Sequence, residues 1–375
     1  MNSTDSDTRP LLAVTAGDVA GIGPEVIVRA AVDPRVQQAA RLLLLCHPQI
    51  LEQAAELSGI ECSIVSVPHD LRTAAEFDAL PADHAHSLFC MDPASTRSAA
   101  LLSAPRRQVS AAAGDAAFTY LTTAIELAQQ GTVDAIATAP LNKESLHAAG
   151  HNFPGHTEIL AKQCDVTDYA MMLYLPETRV QPLRALVSGP TKEGDNPPPL
   201  HGLSINHVTL HTSISSVPHL LSTDAVREKI ELLNRFLDRL GCPRKAIGVC
   251  ALNPHGGEHG LFGDEEARVI EPAVAAALEA GLNVRGPFPV DTLVRRAVAG
   301  EFDGLVAMYH DQGHIPVKLI GFDAAVNITL GLPIIRTSPT HGTAFDRAWD
   351  PTTPADASGM IEAILTAVQL HRGRR

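Results

Sequence analysis

The sequence predicts an α/β fold, a largely parallel sheet whose strands are joined by helical crossovers. Two observations predict it. Short apolar runs of strand length alternate with longer helical patterns along most of the chain. Some of those runs also break abruptly into ionisable residues, as strands of open α/β sheets do where sites gather beyond their carboxyl ends. The clearest case is GLVAMYHDQGHIPVK (304–318), in which Leu305 to Met308 give way to His310, Asp311, Gln312, Gly313 and His314, with Lys318 close behind. The run AIGVCAL (246–252) passes likewise into NPHGGE, with His255 as its first ionisable residue. A weaker third case is LSINHVTLH, where His207 follows a strand-like run and has His201 and His211 as neighbours.

Each element can be justified in order. Residues 1–9 read as a disordered tail, and LLAVTAG (11–17) as a first buried strand. The loop GDVAGIGPE follows, and Pro24 opens a helix through Val26, Ile27 and Ala30. RLLLLC (41–46) and ECSIVSV (61–67) are the next strands. Residues 108–131 form a long helix closed by Gly131, and TVDAIATAP (132–140) is another strand. SGPTKEGDNPPPLHG (188–202) is rich in Gly, Pro and charge and reads as a surface loop or β-arm insertion. In residues 226–241, Val226, Ile230, Leu233, Leu237 and Leu240 share one helical face. Further helices are expected near 265–281 and 356–370.

Composition bounds the function. Hydrophobic residues make up 45% of the 375 and aromatics 4%, so a large core must be built mostly from Ala, Leu, Val and Ile. The formal net charge of −13 argues against a nucleic-acid partner, which needs a basic footprint. An anionic small substrate stays open, because a local basic cluster can outweigh global charge. The six cysteines form no C-x-x-C pair and read as scattered buried thiols in a reducing compartment. No apolar run approaches a membrane span, and the N-terminus lacks an apolar signal core. A cytoplasmic protein without a membrane partner is the expectation.

The three strand-end histidines suggest one metal or one substrate approached from three strands, and three neutral imidazoles with an open position would suit Zn²⁺ or a similar divalent ion. PGHTEILA (154–161) places His156 and Thr157 at a helix start, where free N–H groups and the dipole make an anion site. The alternative is a plain N-cap by Thr157. The 326–348 segment carries Asn327, Arg336 and the turn His341, Gly342, Thr343, Ala344. GDVAGIGPE has a phosphate-loop look but lacks both the G-x-G-x-x-G order and the Walker lysine, so no Rossmann fingerprint is present.

Taken together, GDVAGIGPE, ATAPLNKE, FPGHTE, NPHGGE, GPFPVDT, MYHDQGHIPVK and VNITLGLPIIRTSPTHGTA resemble the 4-hydroxythreonine-4-phosphate dehydrogenase family, the NAD-dependent enzymes of pyridoxal phosphate biosynthesis. The motifs run in the family's order from about residue 11 to 348. ATAPLNKESLHAAGHNFPGHTE and YAMMLY look most like the branch acting on 4-phospho-D-threonate and 4-phospho-D-erythronate, and HVTLH is similar to a branch that dehydrogenates a dihydrodiol dicarboxylate in terephthalate breakdown.

The resemblance implies two α/β/α domains around a cleft, like isopropylmalate and isocitrate dehydrogenases, with one domain from residues 1–140 plus 325–375 on the cofactor side. The other, 141–324, would carry most metal and substrate residues and the dimer contact. It implies His207, His255 and His310 as ligands of a divalent metal, Zn²⁺ first, with Mg²⁺, Mn²⁺ or Co²⁺ as the other candidates. It implies His156, Thr157, Lys318, Asn327 and Arg336 around a small phosphorylated hydroxy acid, and Lys318 and Asp291 as catalytic groups. The turn His341, Gly342, Thr343, Ala344 would bind NAD, and a homodimer would share its active sites. The expected reaction is oxidation of the carbon-3 hydroxyl followed by decarboxylation of the β-keto acid. A metal-dependent hydrolase or lyase using the same histidines is the competing class, and a binding protein without turnover a third. Two departures stand out: the 188–202 insertion just before His207, and Val19 where the family often has Pro.

Overall fold

The computed structural model describes residues 8–80, 87–94, 98–188 and 199–373. The readings of a tail at 1–9 and of an insertion at 188–202 fall largely outside them. The chain divides into two compact units, the first running to Thr167 and resuming at Leu332–Gly373, the second being Asp168–Gly331. Twelve strands lie among the described residues: β1 (Leu11–Thr15), β2 (Arg41–Leu45), β3 (Ser63–Ser66), β4 (Ser87–Met91), β5 (Ala135–Thr138), β6 (Ala170–Leu175), β7 (Leu203–His207), β8 (Ile247–Cys250), β9 (Val284–Phe288), β10 (Gly304–Ala307), β11 (Val326–Leu330) and β12 (Arg336–Pro339).

In the first unit the strands order as β3-β4-β2-β1-β5-β12, and every pair is parallel. Parallel strands are covered on both faces, which is why they read as unbroken apolar runs. Leu11, Leu12, Val14 and Leu43 to Leu45 are wholly buried. The helix Gly23–Ala31 starts with Pro24 in its first turn, as expected. The long helix is Ala111–Gln129, capped by the Ser110 hydroxyl accepting from the Ala113 N–H. The chain's last helix, Ser358–Arg372, packs on β12 and β5.

The second unit orders as β11-β6-β7-β10-β8-β9. β7, β10, β8 and β9 are parallel, whereas β6 runs antiparallel to both its neighbours. Its core joins Leu173 and Leu175 of β6, Ile205 of β7 and Leu305 of β10 to Val180, Leu293, Phe302 and Val317. The amphipathic helix is Thr223–Arg239, burying Val226, Ile230, Leu233 and Leu237. The segment expected as one helix near 265–281 begins instead with a π-helical turn at Glu266–Ile270 and continues as Glu271–Glu279. Buried Glu266 explains the departure: its Oε1 accepts from the N–H groups of Leu252 and Asn253, both at 2.8 Å, so the helix start is tied to the loop after β8.

Candidate active site

Sheet order brings the three strand-end histidines to one edge. β7, β10 and β8 are adjacent and parallel, so His207 at the end of β7, His310 beyond β10 and His255 beyond β8 all lie at the carboxyl ends of neighbouring strands. His207 ends β7 in register with Ala307 of β10. The helix His310–Gly321 begins three residues after β10. Gln312 fastens its first turn, its Oε1 accepting from the Met308 N–H and its Nε2 donating to the Ala251 carbonyl, both at 2.7 Å.

His207 and His310 meet through a third ring. His314 lies one helical turn beyond His310 and stacks on it, ring centroids 3.6 Å apart and 8° from parallel. Its other neighbour is His207 at 4.9 Å, and His211 lies 6.1 Å from His310. His314 was not singled out from the sequence as a site residue. The signal was present, because His-x-x-x-His at the start of a helix puts both rings on one face. His207 is buried, and neither ring nitrogen completes a hydrogen bond, although the Met171 backbone lies nearby. Burial, then the other histidines, hold it neutral, down to about 3. Burial and the charge of His310 push His314 down to about 4. Gly313 makes the contact possible, since a Cβ there would lie 2.2 Å from His207 Nε2.

The remaining second-unit candidates sit as follows. The His255 side chain is 68% exposed, its Nδ1 meeting Glu258 at 3.1 Å and its ring facing Phe262 at 6.3 Å. Residues 255–259 all have left-handed φ angles, from 45° to 79°, a strained run of a kind that clusters at functional sites. Asp291 is exposed in the first turn of the helix Val290–Val298, where its Oδ1 accepts from the Thr292 N–H. Lys318 is exposed two turns along from His310, with Nζ 6.0 Å from the Phe322 ring. Asn327 Oδ1 is buried without a hydrogen-bond partner.

For a divalent ion the fit is partial. Neutral His207 with two unpartnered nitrogens is the donor such an ion needs, and His310 is its near neighbour. Among the described residues, however, no three His, Cys, Asp or Glu side chains are arranged to hold a metal. A third donor has to be brought in.

The first unit gathers the anion-binding candidates. Arg336 opens β12 at 1% exposure. Its Nη2 and Nε donate to Thr138 Oγ1 at the end of β5, at 2.6 and 3.2 Å. Burial pushes its pKa down to about 9, so the group remains a cation at neutral pH. His156 and Thr157 form the first turn of the helix His156–Gln163. Close packing and then the Arg336 charge hold His156 well below its ordinary range, although its surface is only half-buried. The cap is Gly155, with no side-chain cap bond, so the alternative of Thr157 as N-cap is overturned. The cofactor candidates lie beyond β12: His341 Nδ1 approaches the Gly342 carbonyl at 3.2 Å, its Nε2 is buried without a partner, and Ala344 has φ 45°.

The profile described as "Pyridoxal phosphate biosynthetic protein PdxA" matches residues 38–367. The chain is 41% identical over 362 residues to D-threonate 4-phosphate dehydrogenase of Salmonella typhimurium, covering 96% of this chain and 98% of that one. The crystal structure of 4-hydroxythreonine-4-phosphate dehydrogenase from Klebsiella pneumoniae superposes with a TM-score of 0.78 at 39% identity, covering 96% and 99% of the two chains. A terephthalate 1,2-cis-dihydrodiol dehydrogenase from Burkholderia xenovorans is more distant, with a TM-score of 0.62 and 27% identity over 96% and 98%. Fold, motif order and near full-length identity converge, and the chain belongs to the PdxA family of dehydrogenases.

Proposed function

We propose that this protein oxidises the carbon-3 hydroxyl of a 4-phosphorylated hydroxy acid, D-threonate 4-phosphate, its erythronate counterpart or 4-hydroxythreonine 4-phosphate. Loss of CO₂ from the resulting β-keto acid follows. One observation carries the substrate class: the 41% identity, over nearly the whole of both chains, to a D-threonate 4-phosphate dehydrogenase. The geometry supports it. A wholly buried Arg336 beside the His156–Thr157 helix start suits a phosphate or carboxylate, which needs a desolvated cation and free backbone donors.

Bound NAD would accept the hydride, and a divalent ion held by His207, His255 and His310 would polarise the reacting hydroxyl. The chain's own residues do the rest. His207 is kept neutral and unpartnered, hence ready as a donor. Arg336, His156 and Thr157 hold the anionic ends, and Asn327 offers its buried Oδ1 to a hydroxyl or amine. Lys318 Nζ carries the proton that the decarboxylated carbon must receive, and Asp291 orients or accepts the hydroxyl proton. The homodimer is supported by an exposed apolar stripe on the helix His310–Gly321 and just beyond it, Ile315, Leu319 and Phe322, with Leu319 82% exposed. Such a face suits a self-complementary contact. Among the described residues no helix is long and apolar enough to cross a membrane.

The test is an NAD⁺-reduction assay with added divalent metal over the three phosphorylated acids and an aromatic dihydrodiol dicarboxylate. NADH from at least one phosphorylated acid is expected. Turnover of the dihydrodiol alone would transfer the protein to the terephthalate-type reading, and hydrolysis without NADH would replace the dehydrogenase by a hydrolase. Replacing His207 by Ala should abolish both metal retention and NADH formation.

A further inference from the structure

The glycine motif at residues 17–25 is absorbed by neither the metal nor the substrate reading. β1, β5 and β12 are adjacent and parallel, so the 17–25 loop, the 139–145 segment and the 341–349 turn all leave the carboxyl edge of the first unit's sheet. The 17–25 loop touches both of the others. On one side the Asp18 N–H donates to the Pro140 carbonyl at 2.9 Å. On the other, the Ile22 N–H donates to the Thr343 carbonyl at 3.0 Å. A Cβ at Gly21 would lie 2.6 Å from that same carbonyl oxygen, so the close approach requires glycine.

The far end of the turn is held as well. Glu25, 1% exposed, accepts at Oε1 from the Trp349 N–H at 2.7 Å and also receives the Ala355 N–H. The Trp349 indole N–H donates to the Val19 carbonyl at 3.1 Å, and the Arg106 guanidinium covers its ring at 4.4 Å. Arg107, whose N–H donates to the Ala20 carbonyl, spans the middle by donating to the carbonyls of Phe345 and Asp346. The turn needs such restraint. Ala344 and Trp349 are non-glycine residues at φ 45° and 56°, conformations that cost energy and persist only where neighbours hold them.

We infer that the 17–25 loop, acting through Glu25 and together with Arg107, is a clamp that fixes the 341–349 turn in the shape that receives the nicotinamide cofactor. Glu25 and Arg107 are therefore positioning residues, and of the motif's glycines Gly21 serves this clamp by its close approach to Thr343. The inference rests on the reading of His341 to Ala344 as the cofactor turn.

The experiment uses the full chain and its single tryptophan, which reports on the turn directly. Glu25→Ala removes the acceptor, whereas Glu25→Gln keeps an acceptor oxygen. Glu25→Ala should red-shift Trp349 emission in the cofactor-free protein and raise KM for NAD⁺ by about tenfold, with kcat at saturation held. Glu25→Gln should restore both readouts. Arg107→Ala, at an exposed position, should raise the same KM. Loss of kcat and thermal stability in Glu25→Ala, with KM and emission unchanged, would overturn the clamp in favour of a structural role. His341→Ala separates the two levels. If it raises KM for NAD⁺ while Glu25→Ala and Arg107→Ala do not, the clamp falls alone. If it leaves KM unchanged, the cofactor-turn reading falls with it.

Discussion

At the scale of single residues, Gly313 decides whether His207 can reach its neighbours. Ala is worth about 1 kcal/mol more than Gly inside a helix, so Gly313→Ala should gain local helix stability. The added methyl would nevertheless lie 2.2 Å from His207 Nε2 and force the ring away. The same methyl would lie 2.8 Å from Ile205 Cγ2, so the expected outcome is a folded protein of lowered thermal midpoint whose affinity for Zn²⁺ or Co²⁺, measured by calorimetry, falls about tenfold, or about 1.4 kcal/mol. Undiminished metal affinity would remove His207 from the ligand set. The same stretch marks what sequence could and could not show. His207 and His310 were legible because each follows an apolar run. For His314 the His-x-x-x-His spacing was on the page, but it carries meaning only once the helix is known to start at His310 itself. The state of His207 depends on burial among other histidines, which only packing across β7, β10 and the helix creates.

At the scale of elements, the helix His156–Gln163 is the most informative test of substrate recognition. Its cap residue, Gly155, offers no side-chain acceptor to the first-turn N–H groups, which leaves them to an anion. Thr157→Val should weaken use of a phosphorylated substrate by roughly thirtyfold, the equivalent of about 2 kcal/mol for a charge-assisted bond, with KM for NAD⁺ unchanged. A phosphate-free analogue should show a much smaller loss, and equal losses for the two would mean that Thr157 serves the helix and not the phosphate. Strands buried on both faces, such as β1 and β2, were legible as apolar runs. The reversed direction of β6 was not, since AMMLYL reads alike in either sense and only its pairing with β7 and β11 fixes it. The π-helical turn at Glu266–Ile270 was hidden for a similar reason, being set by hydrogen bonds to a loop more than ten residues earlier.

At the scale of the whole molecule, the division of the ligand set bears on assembly. His207 and His310 share a ring neighbour within one chain, whereas His255 has Phe262 and Glu258 as its neighbours. Mixing His207→Ala with His255→Ala chains is therefore the informative pairing. If a second copy supplies His255, mixed dimers should regain up to one intact site, seen as restored metal content and NADH formation. No recovery, with subunit exchange demonstrated by mass, would mean that each chain completes its own site. Leu319→Glu should shift the protein toward monomer in analytical ultracentrifugation if the exposed stripe is the contact.

The first unit is assembled from two separated stretches of the chain, with β12 and the helix Ser358–Arg372 added to strands laid down about two hundred residues or more earlier. Met360, Ala363, Ile364 and Ala367 of that helix are wholly buried. A ribosome thus releases every residue of the second unit before the first can close its core. Domains generally fold as units during synthesis, so here the middle of the polypeptide should mature ahead of its beginning. Chains ending at residue 331 and released from the ribosome should protect β6 to β11 from protease while β1 to β5 remain cleavable. The amino-terminal segment, waiting longest with its apolar strands uncovered, is where chaperone dependence should concentrate.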